Sequence, residues 1–226
     1  MSNLETQINW AANELGPEGP GAVQLANFVN PAILYPARKE LSNPHLPWYE
    51  QHNSFINDRG IEVQQYFEVF GHKLSRGSQE ILARLPAVCM LGNIVTSQLI
   101  EPLQVFFPSL ESWQMDEFAV QRYSGEMGKL TWHKDLKRHP GLVVILNLIG
   151  NAMVHTRHSL FERDFVLSTG DVLLVRAPEL YPSDEDIRPE HSVEIIGDLT
   201  RTSVTFRANN KPTVPIKGFR YHNWPD

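Results

Sequence analysis

Two histidines and one aspartate are spaced along this chain so that they could hold a single metal ion. The segment Trp132-His133-Lys134-Asp135 places a His-x-Asp pair at the end of a predicted strand. In an extended segment alternate residues point to one side, so His133 and Asp135 can grip an ion from the same face. His191 opens a later predicted strand and offers a third donor. Two imidazoles and a carboxylate on one face, with the opposite face open, are the ligand set of a non-haem Fe(II) oxygenase. On the last predicted strand Arg201, Ser203, Thr205 and Arg207 fall on alternate positions, facing inward together. Buried arginines are costly unless anions face them, and a dicarboxylate co-substrate would bring two.

Each of these residues alone has a plainer explanation. Asp135 fits a solvated loop acid, His191 a strand cap or a core hydrogen bond, and Arg207 a surface partner of Glu194 or Asp198. The order tips the balance: His-x-Asp, an apolar strand, a turn with Gly170-Asp171, a distal His, then paired arginines on the closing strand. Chance rarely supplies all five.

The elements that must position these groups follow from composition and periodicity. The chain has 226 residues, 42% of them hydrophobic, enough for one domain with a sizeable core. Its single Cys, Cys89, rules out a disulfide framework or a thiolate metal cluster and favours a reducing compartment; the cytoplasm is the expected location. No apolar run reaches the length of a membrane span. A formal charge of −6 disfavours a protein built chiefly to hold nucleic acid. Residues 1–21, rich in Gly and Pro, read as a flexible lead-in to a single domain over 22–226. Apolar spacing predicts broken helix over 22–41 and helices over 78–85 and 90–106. The segment carrying Trp48 and Tyr49 reads as irregular loop, and 61–70 as a strand. From 117 onward short strands follow closely: 118–123, 129–132, 142–149, 152–155, 164–167, 172–175, 191–196 and 202–207. This is an α+β chain: an antiparallel barrel or sandwich over about 117–208, flanked by N-terminal helices.

The second half of the chain resembles the AlkB-like Fe(II)/2-oxoglutarate dioxygenases. The resemblance runs from about Phe118 to Arg207 and rests on Arg122-Tyr123, His133-x-Asp135, Gly170-Asp171-Val172, His191 and Arg201-Thr-Ser-Val-Thr-Phe-Arg207. The closing motif is the most diagnostic, because the wider superfamily usually carries only one such arginine. The resemblance implies a double-stranded β-helix (jelly roll) with Fe(II) held by His133, Asp135 and His191. It implies that Arg201 and Tyr123 hold the distal carboxylate of 2-oxoglutarate, with Arg207 beside the iron-chelating end. Gln121, two positions before Tyr123, stands where the family commonly has an Asn and can still hydrogen-bond a carboxylate, and Ser203 shares the inward row. Dioxygen would be the second co-substrate, and the product a hydroxylated or oxidatively dealkylated carbon. Family members that repair nucleobases tend to carry further acids directly after His-x-Asp. Here the continuation is Leu136-Lys137-Arg138-His139.

Candidate substrate residues are Trp48, Tyr49, His52, Asn53 and Phe55 before the first strand, with Lys137 and Arg157 near the rim. The aromatic and amide mixture suits a flat ring such as a nucleobase. Packing of Trp48 and Tyr49 onto the barrel explains them better, and a solvated face explains Lys137 at least as well. The acidity of the chain and the altered continuation after His-x-Asp favour a small or medium-sized metabolite as substrate. The closing arginine pair favours alkylated bases of DNA or RNA. A binding protein with a jelly-roll fold and no turnover is the third reading. Oligomeric state is not legible.

Overall fold

The computed structural model describes residues 3–46, 48–57, 59–73, 85–125, 128–183, 185–197 and 200–210. The predicted helix over 78–85 lies almost wholly outside them.

The strands are β1 (Ala22–Leu25), β2 (Tyr49–Ile56), β3 (Glu62–Lys73), β4 (Glu117–Tyr123), β5 (Lys129–His133), β6 (Leu142–Ile149), β7 (Ala152–His158), β8 (Phe161–Leu167), β9 (Val172–Arg176), β10 (Glu190–Ile195) and β11 (Arg201–Arg207). All their pairings are antiparallel, in the order β1-β9-β6-β11-β4-β3-β5-β10-β7-β8, with β2 on β3. Four strands, β4-β11-β6-β9, form one wall and β5-β10-β7-β8 the other. β3 joins them, pairing with β4 through Glu68–Lys73 and with β5 through Gln65 and Tyr66. The result is a nearly closed jelly roll.

Two apolar clusters follow from strand alternation. Val143, Ile145, Leu173 and Val175 point into the roll with Val63, Phe67, Leu130, Val154 and Val193. Leu142, Val144, Leu146, Val204 and Phe206 point outward and meet the helices. β6 is buried on both faces for that reason, which explains its unbroken apolar sequence. Helix α2 (Pro31–Leu41) and helix α3 (Pro86–Val95) cover the outer face. They are tied together where the Glu40 carboxylate accepts from the Ala87 and Val88 amides, satisfying otherwise unbonded donors at the start of α3. The helical path runs on through a π turn to Leu103.

Three expectations differ. Residues expected to form a flexible lead-in fold as helix α1 (Asn3–Leu15), because Ile8, Ala11, Ala12 and Leu15 line one buried face. Ala22, Val23 and Leu25 were expected to be helical, but they pair with Val175, Leu174 and Val172 as an edge strand. The segment expected as irregular loop around Tyr49 is strand β2, whose backbone is held by β3 from Tyr49↔Val69 to Ile56↔Glu62. No helix of the described residues is long and apolar enough to cross a membrane.

Candidate metal and co-substrate site

A β-bulge aims the first histidine. His133 faces His191 across β5 and β10, while Leu130 faces Val193. Three steps on one strand therefore match two on the other. In a regular strand Leu130 and His133 would point to opposite faces; the extra residue turns both inward. Leu130 joins the interior cluster and His133 joins Asp135 and His191, with one ligand atom of each within 4.8 Å of the others. The imidazole centroids are 4.1 Å apart, and His191 Nε2 is 3.6 Å from Asp135 Oδ2.

Protonation suits a cation. Burial, and then His191, bring the His133 pKa down to about 3. Burial works to raise the Asp135 carboxyl, but His191 and Arg207 outweigh it and bring it down to about 2. Burial likewise lowers His191, against the pull of Asp135. The site therefore offers two neutral imidazoles and one carboxylate. His133 Nδ1 lies 2.9 Å from the Thr131 carbonyl, which can only accept, so Nδ1 carries the proton and Nε2 keeps its lone pair for a metal. Asp135 Oδ2 is buried without a hydrogen-bond partner among the described residues, a cost that a bound cation would relieve. The donor set fits Fe(II).

The loop between β9 and β10 holds the ligand segment from outside. Arg188 Nη1 donates to the Asp135 carbonyl, and its Nε and Nη2 each donate to Asp186 at 2.8 Å. Lys134 Nζ stands 3.1 Å from the same carboxylate. Arg188→Met should leave the fold intact and weaken Fe(II) binding by about tenfold, as loss of groups supporting metal ligands typically does. Anaerobic Fe(II) titration checks this, and unchanged affinity would remove the loop from the site.

The two inward arginines differ in their counter-charges. β11 sets Arg201 opposite Tyr123, Ser203 opposite Gln121 and Asn147, and Arg207 opposite Glu117. Arg207 lies 3.6 Å from both the Glu117 and the Asp135 carboxylates, so the protein itself supplies its anions. Arg201 is 1% exposed and faces no acid among the described residues. Its Nε donates to Asn147 Oδ1 at 2.9 Å, and its guanidinium carbon is 5.1 Å from the Tyr123 ring centroid. Burial pushes the Tyr123 hydroxyl up to about 12, against Arg201, so it stays neutral. Ser203 Oγ is buried and unbonded among the described residues, and Gln121 is half-buried. The expectation of two anionic ends for two arginines thus narrows to one, at Arg201.

The substrate candidates separate. On β2, Tyr49, Asn53 and Phe55 alternate with Gln51 between them, registered against Val69, Gln65, Val63 and Phe67 on the face that continues the interior. His52 is on the other face, with its ring centroid 6.0 Å from that of Tyr66. Trp48 packs toward the helix-side core under the Arg122 guanidinium, 3.9 Å away. Arg157 alternates with inward Val154 and Thr156, so it lies outside the roll, 4.3 Å over Trp132 and bonded to Glu190 at 2.7 Å. Lys137 is exposed past Asp135. Trp48 and Arg157 therefore do not face the triad.

Four contributors had no assignment in the sequence. Gln51 is 4% exposed on the inner face of β2, and Arg188 clasps the ligand segment. Glu117 anchors Arg207. Asn147 was detectable as the one amide inside an apolar strand. His139, four residues past Asp135, is buried with Nε2 2.8 Å from Glu117.

No family model and no curated protein sequence matches this chain. Solved structures do match. A prolyl hydroxylase from Trichoplax adhaerens, in complex with a hypoxia inducible factor peptide fragment, aligns over 92% of both chains at 14% identity and a TM-score of 0.63. A 2OG-Fe(II) oxygenase family protein from Burkholderia pseudomallei aligns over 89% of this chain and 90% of its own, at 16% identity and a TM-score of 0.55. The structure of OsALKBH1 aligns over 83% of this chain and 98% of its own, at 18% identity and a TM-score of 0.54. The fold is the one these oxygenases share.

Proposed function

We infer that the protein is an Fe(II)- and 2-oxoglutarate-dependent dioxygenase that hydroxylates or oxidatively dealkylates a C–H carbon of a small or medium-sized metabolite. The observation that carries this reading is the pairing of two neutral imidazoles and a carboxylate with one buried arginine that faces no acid among the described residues. His133, Asp135 and His191 would hold the iron, and Arg201 with Tyr123 the distal carboxylate of 2-oxoglutarate. When bound, iron with 2-oxoglutarate and dioxygen supplies the oxidant, and the co-substrate leaves as succinate and carbon dioxide. The chain's own work is to orient these groups and keep water from the interior. Arg207 holds Asp135 from behind, and Thr131 sets the His133 tautomer.

The metabolite reading draws on charge. Lys134 and Arg188 are both committed to Asp186, and Arg59 and Arg157 to Glu190. Cations tied up in this way are poorly placed to meet phosphates. A second reading, an alkylated nucleobase, is favoured by the uncharged aromatic and amide face of Tyr49, Gln51, Asn53 and Phe55.

Anaerobic Fe(II) titration in the presence of 2-oxoglutarate tests the reaction class. Wild type should develop the weak visible charge-transfer band of the chelate, and His133→Ala and Arg201→Ala should not. A folded wild type without the band overturns the reading and promotes a binding protein. Succinate release across metabolite and methylated-oligonucleotide panels then separates the substrates, because only nucleic-acid binding should weaken steeply with salt.

A further inference from the structure

Asn147 is fully buried, and both ends of its amide are committed. Oδ1 accepts from Arg201 Nε at 2.9 Å, and Nδ2 donates to the Gly150 carbonyl at 2.7 Å. The orientation is unambiguous, since a guanidinium only donates and a carbonyl only accepts. Gly150 itself has a positive φ of 73°, and a Cβ there would sit 2.4 Å from the Thr200 carbonyl oxygen, directly before Arg201. The turn, the amide and the arginine are therefore fixed together. With Nε engaged by Asn147, the terminal guanidinium nitrogens stand beside Tyr123 and can form a bidentate fork on a carboxylate together with its hydroxyl.

The residue type matters as much as the contact. An Asp at this position would pair with Arg201 and cancel the charge, as Glu117 does for Arg207. An amide orients the guanidinium and leaves it cationic. We propose that Asn147 is a positioning residue that keeps Arg201 aimed and uncompensated for one terminal carboxylate, and so sets the choice of a dicarboxylic over a monocarboxylic 2-oxo acid. The proposal rests on the dioxygenase reading and assigns its co-substrate selectivity to this amide.

Calorimetric titration of Mn(II)-loaded protein with 2-oxoglutarate and with 2-oxopentanoate tests both levels separately. Wild type should prefer the dicarboxylate; a folded wild type that binds neither acid overturns the dioxygenase reading and the Asn147 assignment with it. Asn147→Asp should weaken 2-oxoglutarate by about 100-fold, the scale of a competing buried ion pair, and change 2-oxopentanoate by no more than about threefold. Asn147→Ser, which removes the hydrogen bond without adding charge, should weaken 2-oxoglutarate by about tenfold and decides the matter if the Asp variant does not fold. If wild type binds and the variants weaken both acids equally, or weaken neither, Asn147 is merely structural and the proposal fails.

Discussion

Asp135→Ala is expected to abolish turnover and to weaken Fe(II) binding by about 100-fold or more, beyond what loss of a supporting group costs. Asp135 is the sole anion in the donor set, and it stands between His191 Nε2 and Arg207 Nη2 at 3.6 Å from each. Removing it takes away a ligand and turns Arg207 into an unscreened positive charge beside an incoming cation. Equilibrium dialysis with Fe(II) under anaerobic conditions measures the effect, and a variant that retains metal would show that these residues are not the metal site. Protons give an independent check, because they compete with a metal only where a ligand can take them up. His133 is held down to about 3 and Asp135 to about 2. Burial lowers His191 as well, so Fe(II) affinity in wild type should fall less, as pH drops from 7 through the ordinary histidine range, than at a site of solvated histidines. A steep loss around pH 6.5 would mean that the histidines titrate as solvated groups.

The candidate ligands could be named from the sequence because they come as a local pair and as a single residue at a strand start. His133 and Asp135 are two apart, and the arginine row follows a single strand. What positions them was not legible. The inward aim of His133 depends on a bulge that exists only in the pairing of β5 with β10, not in either segment alone. Glu117 and His139 meet across the start of the roll, and neither has a neighbour in sequence that marks it. Strand β2 was hidden for a different reason. Its inner row, Tyr49, Gln51, Asn53 and Phe55, mixes amides with aromatics, so apolar alternation is weak and pairing with β3 decides the conformation. The β6 strand shows the converse. Its unbroken apolar run goes with burial on both faces, and Asn147 is the one amide within it.

Glu117→Gln should lower the melting temperature at neutral pH by roughly 10 °C and remove much of the protein's acid sensitivity. Glu117 is 3% exposed and holds three groups at once: Arg207 at 3.6 Å, His139 Nε2 at 2.8 Å and the Asn209 amide, which donates at 2.9 Å. Burial works to raise its pKa, but His139, Arg207 and Asn209 outweigh it and bring the value from 4.5 down to about 2. The folded pKa is below the unfolded one, so the stabilisation is fully present above about pH 4.5 and is lost as pH falls towards 2. At about 1.4 kcal/mol per pKa unit it amounts to about 3 kcal/mol. Gln keeps the shape and loses the charge, leaving Asp135 as the carboxylate beside Arg207 among the described residues. Wild type and variant should differ most at pH 7 and converge as pH approaches 2, which thermal melts across that range will show. A constant difference would mean that Glu117 contributes through packing and not through its charge. The same substitution carries a consequence for the metal. Arg207 released from Glu117 would press its whole charge on Asp135, so Fe(II) affinity should fall together with stability at neutral pH. Loss of stability without loss of affinity would show that the Glu117–His139 pair holds the roll together and leaves the site's electrostatics to Asp135 alone.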